Sequence, residues 1–332
     1  MKKSHDILRT TEDILYREIA QEWLGYSEFR LKESSYAKYR SILNKYLLPA
    51  FGNDCISQLT TDRVAEFLKN LRAQETETIR KRLSPQYING ILTVFRETSY
   101  YSTSRGYPFP CNFRYLSQKT EKKECSVFTH EESRRLASYL LEDVDLYKAG
   151  ILLCFFTGIR LGELCALKWE DIHLEEQMLT ISHTMQRLAV TDIGEQRTKI
   201  VITAPKTSSS KREIPLPDFL FEIVKKFYCS EKEAFFLSGT ADKIIEPRVM
   251  QYRFRKYTKE CGIRSLNFHA LRHTFATQCV ERDFELKSLS EILGHSSVNI
   301  TLNRYVHSSR ELKRKNMDKI CLERMKSSTD QF

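Results

Sequence analysis

Between Ser117 and Ser126 the chain reads Gln-Lys-Thr-Glu-Lys-Lys-Glu-Cys, a polar run without hydrophobic periodicity that parts two differently patterned stretches. Such a run reads as an interdomain linker, and 332 residues suffice for two domains with a core each. The expected division is 1–116 as a helical domain, 117–126 as linker and 127–332 as a second domain with a basic tail from Arg310 to Lys326. The fold class expected is α+β: an all-α N-terminal domain, then a mainly helical domain with a small three-stranded antiparallel sheet.

The first domain repeats apolar residues at helical spacing over Ile14–Trp23, Tyr36–Leu48 and Val64–Leu71. A fourth helix starts at Ser84-Pro85, an N-cap followed by proline at the first helical position, and runs through Ile88, Ile91, Leu92 and Phe95. Lys32, Lys38, Arg40, Lys45, Arg80, Lys81 and Arg82 lie beside these stripes. Each alone reads as a solvated lysine or arginine; together they suit a surface facing a polyanion.

In the second domain Thr129-His-Glu-Glu132 opens a helix as a capping box. Leu146–Phe156 is apolar on every side and stops at Thr157-Gly158, as a buried helix with a glycine C-cap does. Three strand-like runs follow, Met178–Thr184, Lys199–Thr203 and Arg212–Leu216. Helices resume at Asp218, Arg248, Phe268, Ser288 and Ile300, with a capping box expected at Ser288 and a closing glycine at Gly294.

Several function classes fall away at this point. The longest apolar stretch, Ala149–Ile159, is too short to cross a bilayer, so no membrane partner is expected. Nine scattered cysteines with no C-x-x-C pair argue for free thiols in a reducing cytoplasm. Neither G-x-G-x-x-G nor G-x-x-x-x-G-K is present, and no cofactor or metal is expected. Lys and Arg outnumber Asp and Glu by 53 to 43, a net charge of +10 that favours a polyanionic partner through counterion release.

The chemistry-bearing residues come in an ordered set. Arg160, in Thr157-Gly-Ile-Arg-Leu-Gly-Glu-Leu164, has Glu163 one turn on, which fits either a structural ion pair or an arginine steadied for an anion. Lys206 stands at the mouth of an expected β-hairpin, in Ala204-Pro-Lys-Thr-Ser-Ser-Ser-Lys-Arg-Glu-Ile-Pro-Leu216. In Phe268-His-Ala-Leu-Arg-His-Thr-Phe-Ala-Thr277, Leu271, Phe275 and Cys279 form an inward stripe. His269, Arg272 and His273 share another face near the helix N-terminus, where N–H groups and dipole favour phosphate. Zinc binding through His269 and His273, or plain packing, are the competing readings; the sequence offers no third ligand nearby. His295 and Tyr305 would be about 15 Å apart on one continuous helix, but Gly294-His-Ser-Ser297 lets the chain fold back and bring them together.

Arg160, Lys206, His269-x-x-Arg272, His295 and Tyr305, in that order, resemble the tyrosine recombinases, or phage integrase family. The local strings agree: T-G-x-R-x-x-E-L, P-K-T-x-x-S-x-R-x-I-P-L, H-x-L-R-H-T-x-A-T, and L-G-H with the tyrosine ten residues later. The resemblance covers about residues 127–310 in detail and the helical domain more loosely. It implies that Tyr305 attacks a DNA phosphate and forms a 3′-phosphotyrosyl link, with no ATP and no metal. It further implies Arg160 and Arg272 as the phosphate clamp, His269 as base, His295 as a phosphate or acid–base contact, Lys206 as general acid and Glu163 as support. Double-stranded DNA, a homotetramer exchanging strands through a Holliday junction and accessory or directionality proteins are the partners it implies. The short lead before the first helix leads us to expect no separate arm-type DNA-binding domain. Rival expectations are a type IB topoisomerase, a DNA-binding regulator without catalysis and a two-metal nuclease or transposase, the last of which a chelator stops.

Overall fold

The computed structural model describes residues 14–73, 83–119, 126–189, 198–204 and 211–305, with Arg314, Met317 and Asp318. The greater part of the expected linker, the basic run Arg80-Lys81-Arg82, Lys206 and most of the tail from Arg310 lie outside those residues. The chain divides into two compact units, residues 1–123 with 187–199 and residues 124–186 with 200–332.

Among its described residues the 1–123 part of the first unit is helical: α1 (Tyr16–Arg30), α2 (Glu33–Ile42), α3 (Leu48–Phe51), α4 (Thr61–Ala73) and α5 (Pro85–Ser104). A π-helical turn, Leu43–Leu47, joins α2 to α3. Pro49 explains it: a proline has no N–H to give and crowds the carbonyl four residues back, so the helix widens just before it. As expected, Ser84 caps α5 by accepting from the Tyr87 N–H, and Pro85 takes the first helical position. The core is aromatic, with Phe51 stacked on Phe95 at 4.9 Å and Tyr16 edge-on to Phe95 at 5.1 Å. Lys32, Lys38 and Lys45 stay exposed along α2 and the π turn.

In the second unit the Thr129–Glu132 box closes in both directions at the head of α6 (His130–Leu141). At its centre is α7 (Leu146–Thr157), apolar all round and buried; Asp145 caps its start, and Gly158, at φ +68°, ends it. Around it pack α6, α8 (Leu161–Ala166), α9 (Asp218–Lys225), α10 (Pro247–Glu260) and α11 (Ala270–Glu281). Then come α12 (Leu286–Leu293) and α13 (Val298–Tyr305).

A three-stranded antiparallel sheet is present, as expected, but its strands differ from those anticipated. Its order is β1 (Ile172–His173), β2 (Met178–Ile181), β5 (Arg212–Pro215), with Leu179 facing both Ile172 and Ile214. The expected strand Met178–Thr184 is split at Ser182, whose hydroxyl bonds Asp171 at 2.6 Å and takes the chain out of the ladder. A new strand, β3 (Thr184–Ala189), begins beyond it and pairs with β4 (Thr198–Thr203) in a separate ribbon. The strands flanking Lys206 therefore lie in different sheets, which corrects the expected hairpin.

One cap also differs. Helix α12 starts two residues before Ser288, because the Glu285 carboxylate accepts from the N–H groups of both Lys287 and Ser288 and so satisfies two orphan donors at once. Gly294 closes the helix at φ +62°, as expected.

Candidate active site

The site grows from two helix ends. Gly158 turns the chain out of α7 in a left-handed conformation, and Phe275 and Leu293 leave no room there for a Cβ. Two residues later Arg160, in extended conformation, becomes the N-cap of α8. Its backbone N–H donates to Glu163 Oε2 at 2.8 Å and its Nη1 to Oε1 at 2.7 Å, while Nη2 reaches the Gly294 carbonyl at 3.2 Å. Both readings of this segment thus hold at once: Arg160 is paired with Glu163, and the pair places its guanidinium beside the Gly294 turn.

Arg272, only 2% exposed, sits in the first turn of α11. It donates from Nη1 to the Gly158 carbonyl at 2.7 Å and from Nη2 to the Leu293 carbonyl at 2.6 Å. The ends of α7 and α12, whose last carbonyls lack helical partners, are thereby tied to an arginine. Charge-assisted bonds of this kind are short and directional.

A third arginine was not singled out from sequence. Arg212, on β5, donates to both oxygens of Glu163 and, through Nε, to the Ile292 carbonyl. A signal was available: in a strand Arg212 shares a face with Ile214 two residues on, and that face is buried. Burial pushes the Glu163 carboxyl upward, but the bond from Arg212 and the charges of Arg212 and Arg160 prevail and hold it below its ordinary value. Three guanidinium groups around this one carboxylate leave a net charge of +2, a field made for an anion.

The histidines and the tyrosine complete the group. Tyr305, 5% exposed at the end of α13, packs in a small cluster with Ala276, Cys279, Leu289 and Leu293. His295 lies nearly parallel to the Tyr305 ring, 6.3 Å between centroids, and its Nδ1 is 2.8 Å from Thr301 Oγ1. The chain does fold back through Gly294–Ser297 as the sequence requires. His269, the N-cap residue of α11, packs edge-on to His273 at 4.6 Å. His273 Nδ1 lies 2.9 Å from the Tyr305 hydroxyl, a contact that sequence reasoning placed on the right helix face but gave no role. Among the described residues no three His, Cys, Asp or Glu side chains are grouped as metal ligands.

All three rings are neutral at pH 7. Burial, followed by His273 and Arg272, lowers His269 to about 4. Burial, followed by Arg304 and Arg272, lowers His273 to about 4. Burial, followed by Arg272 and Arg160, lowers His295 to about 3. Arg160, Glu163, His269, Arg272, His295 and Tyr305 are thus brought together, and of the residues expected in the site only Lys206 lies outside the described part.

A buried phenol beside two histidines and an arginine cradle is carried on a mainly helical domain. Residues 126–311 match the phage integrase family and residues 15–72 the phage integrase N-terminal SAM-like domain, so this chain belongs to the phage integrase family. It is a tyrosine recombinase, a DNA strand transferase. A tyrosine recombinase XerC-like protein of Caldanaerobacter subterraneus subsp. tengcongensis is 26% identical over 89% of this chain and 80% of its own length. The ICEBs1 integrase of Bacillus subtilis is 22% identical over 90% of this chain and 80% of its own. The transposase from transposon Tn916 of Enterococcus faecalis is 28% identical, with 58% of this chain matching 52% of that one. In fold the chain is similar to the Tn1549 transposon integrase in complex with circular intermediate DNA, with a TM-score of 0.72 at 20% identity over 92% of this chain and all of that one. It is also similar to a lambda integrase tetramer bound to a Holliday junction, with a TM-score of 0.60 at 16% identity over 90% and 81% of the two chains.

Proposed function

We propose that this protein breaks and rejoins double-stranded DNA at specific sites, through a 3′-phosphotyrosyl intermediate on Tyr305, to integrate or excise a mobile element. The observation that carries this reading is the placement of the Tyr305 hydroxyl against His273, in a pocket whose arginines hold a net positive charge. A phosphodiester repels anionic nucleophiles and gathers charge on its non-bridging oxygens as it reacts. Arg160 and Arg272 clamp those oxygens with donors that stay protonated, and Glu163 keeps Arg160 aimed. The phenol, with a reference pKa near 10, gives up its proton to a histidine as it attacks. His269 and His295 complete the wall around the phosphate. Lys206 protonates the departing 5′-oxygen. Because the phosphotyrosyl link keeps the energy of the phosphodiester, a second 5′-hydroxyl reverses the step without ATP.

The integrases of similar fold are bound to DNA, and lambda integrase also occurs as a tetramer on a Holliday junction. We assign this chain the same partner and assembly, with residues 1–116 as a core-type DNA-binding domain, 117–126 as linker and 127–332 as the catalytic domain. Accessory or directionality proteins would then choose between integration and excision.

The test is a nicked suicide duplex taken from DNA flanking this gene, incubated in EDTA with wild type and with Tyr305→Phe. A covalent adduct with wild type alone supports the reading. An adduct formed equally by Tyr305→Phe, or cleavage abolished by EDTA, overturns it.

A further inference from the structure

The three histidines of the site are not equivalent. His295 turns the face of its ring to Tyr305, and its Nδ1 is engaged with Thr301. His269, to which the family resemblance gives the role of base, packs edge-on against His273. His273, one turn further along α11, places Nδ1 2.9 Å from the oxygen that must become the nucleophile. Building on the recombinase reading above, we propose that His273 is the catalytic base that takes the Tyr305 proton as Tyr305 attacks the phosphate.

Atoms and charges balance in the step. The Tyr305 O–H bond breaks, its electron pair stays on oxygen and the proton passes to Nδ1. That oxygen forms the new bond to phosphorus while the bond from phosphorus to the 5′-oxygen breaks, and the 5′-oxygen leaves with its electron pair and is protonated by a separate acid. On religation an incoming 5′-hydroxyl gives its proton back to that acid's conjugate base and bonds to phosphorus, the bond from phosphorus to the Tyr305 oxygen breaks, and His273 returns its proton to Tyr305.

The surroundings suit a base that is weak at rest and stronger when substrate is bound. The groups around its ring are His269 and Arg272 on its own helix and Arg304 and Tyr305 on α13. Burial and the two arginines disfavour an imidazolium, and in the neutral tautomer that carries its hydrogen on Nε2 the Nδ1 lone pair faces the phenol. A phosphate arriving beside Arg272 offsets that positive field and raises the proton affinity of His273 as the phenol is about to react. Proton transfer is thereby coupled to the presence of DNA.

A contact that merely positions the phenol predicts something different, and His273→Asn separates the two. The Asn amide oxygen takes roughly the place of Nδ1 and accepts the same hydrogen bond, but it carries no proton away. The experiment follows single-turnover adduct formation on the nicked duplex from about pH 5.5 to 9.5 for wild type, His273→Asn, His273→Ala and His269→Asn. DNA affinity and the unfolding transition are measured alongside. We expect both His273 variants to bind DNA like wild type and to cleave roughly 10²–10⁴-fold more slowly at neutral pH. Their rates should climb with pH as the phenol ionises by itself, whereas wild type and His269→Asn stay level above neutrality. If His273→Asn cleaves within about threefold of wild type, or is slow with a level profile, or if His269→Asn alone shows the climbing profile, His273 is not the base. A wild type that binds the duplex and forms no adduct overturns the recombinase reading itself, and this inference with it.

Discussion

Arg212 holds both carboxylate oxygens of Glu163, at 2.9 and 3.2 Å, where the two side chains are only 5% and 3% exposed. The same carboxylate steadies Arg160, so an arginine on a β-strand determines where an arginine at a helix start can point.

Removing one partner of such a buried pair leaves a charge without compensation. Arg212→Met should therefore destabilise the second unit by about 3–5 kcal/mol, measured by urea unfolding. Cleavage by the fraction still folded should fall as well, because Glu163 then pairs with Arg160 alone. A loss below about 1 kcal/mol would show that the pair contributes little.

Gly294 occupies a left-handed conformation, and a Cβ there would meet the Arg212 guanidinium at 3.0 to 3.2 Å. Gly294→Ala should cost about 1–2 kcal/mol from backbone strain alone, and more if Arg212 is displaced. Because the Gly294 carbonyl also receives Arg160, strand cleavage should drop further than stability does. Melting temperature and adduct rate, measured on one preparation, test this; unchanged cleavage would contradict it.

Arg272→Lys keeps the positive charge but cannot reach the Gly158 and Leu293 carbonyls and a phosphate together. The expected result is near-normal DNA affinity with cleavage reduced roughly 10²–10³-fold. Equal losses in binding and cleavage would instead mean that the arginine grips DNA in the ground state as strongly as in the transition state.

Acid should loosen this unit earlier than its carboxylates alone would. Burial and nearby arginines hold His273 near 4 and His295 near 3, below their ordinary value of 6.5. The folded chain therefore binds fewer protons than the unfolded one as pH falls through that interval. The stability linked to these rings is complete above about pH 6.5 and declines toward pH 4. The urea midpoint, followed by tryptophan fluorescence, should drop between about pH 7.5 and about pH 5, and drop less in His295→Asn. Identical drops in both proteins would rule this source out.

Much of this was legible in the chain because local chemistry repeats there. Pro85 after Ser84, Glu132 three residues after Thr129 and the glycines at 158 and 294 each set a helix end by rules acting within a few residues. The order Arg160, His269, Arg272, His295, Tyr305 named most of the pocket. Apart from the local cap of α12 by Glu285, the misread features depend on distant partners. Ser182 leaves its strand for Asp171, 11 residues away in sequence, and β4 pairs with β3 rather than β5. Arg212 meets its carboxylate across 49 positions, and His273 meets Tyr305 across 32. Periodicity reports which face a side chain occupies; it does not report what waits opposite.

The cradle also divides the labour of recognition. Its arginines are tied to Glu163 and to carbonyls at the ends of α7 and α12, so what they still offer an incoming strand is charge and donor N–H groups, suited to a phosphate that is the same at every nucleotide. Such a device is blind to genetic text. The choice of address must be written elsewhere on the protein.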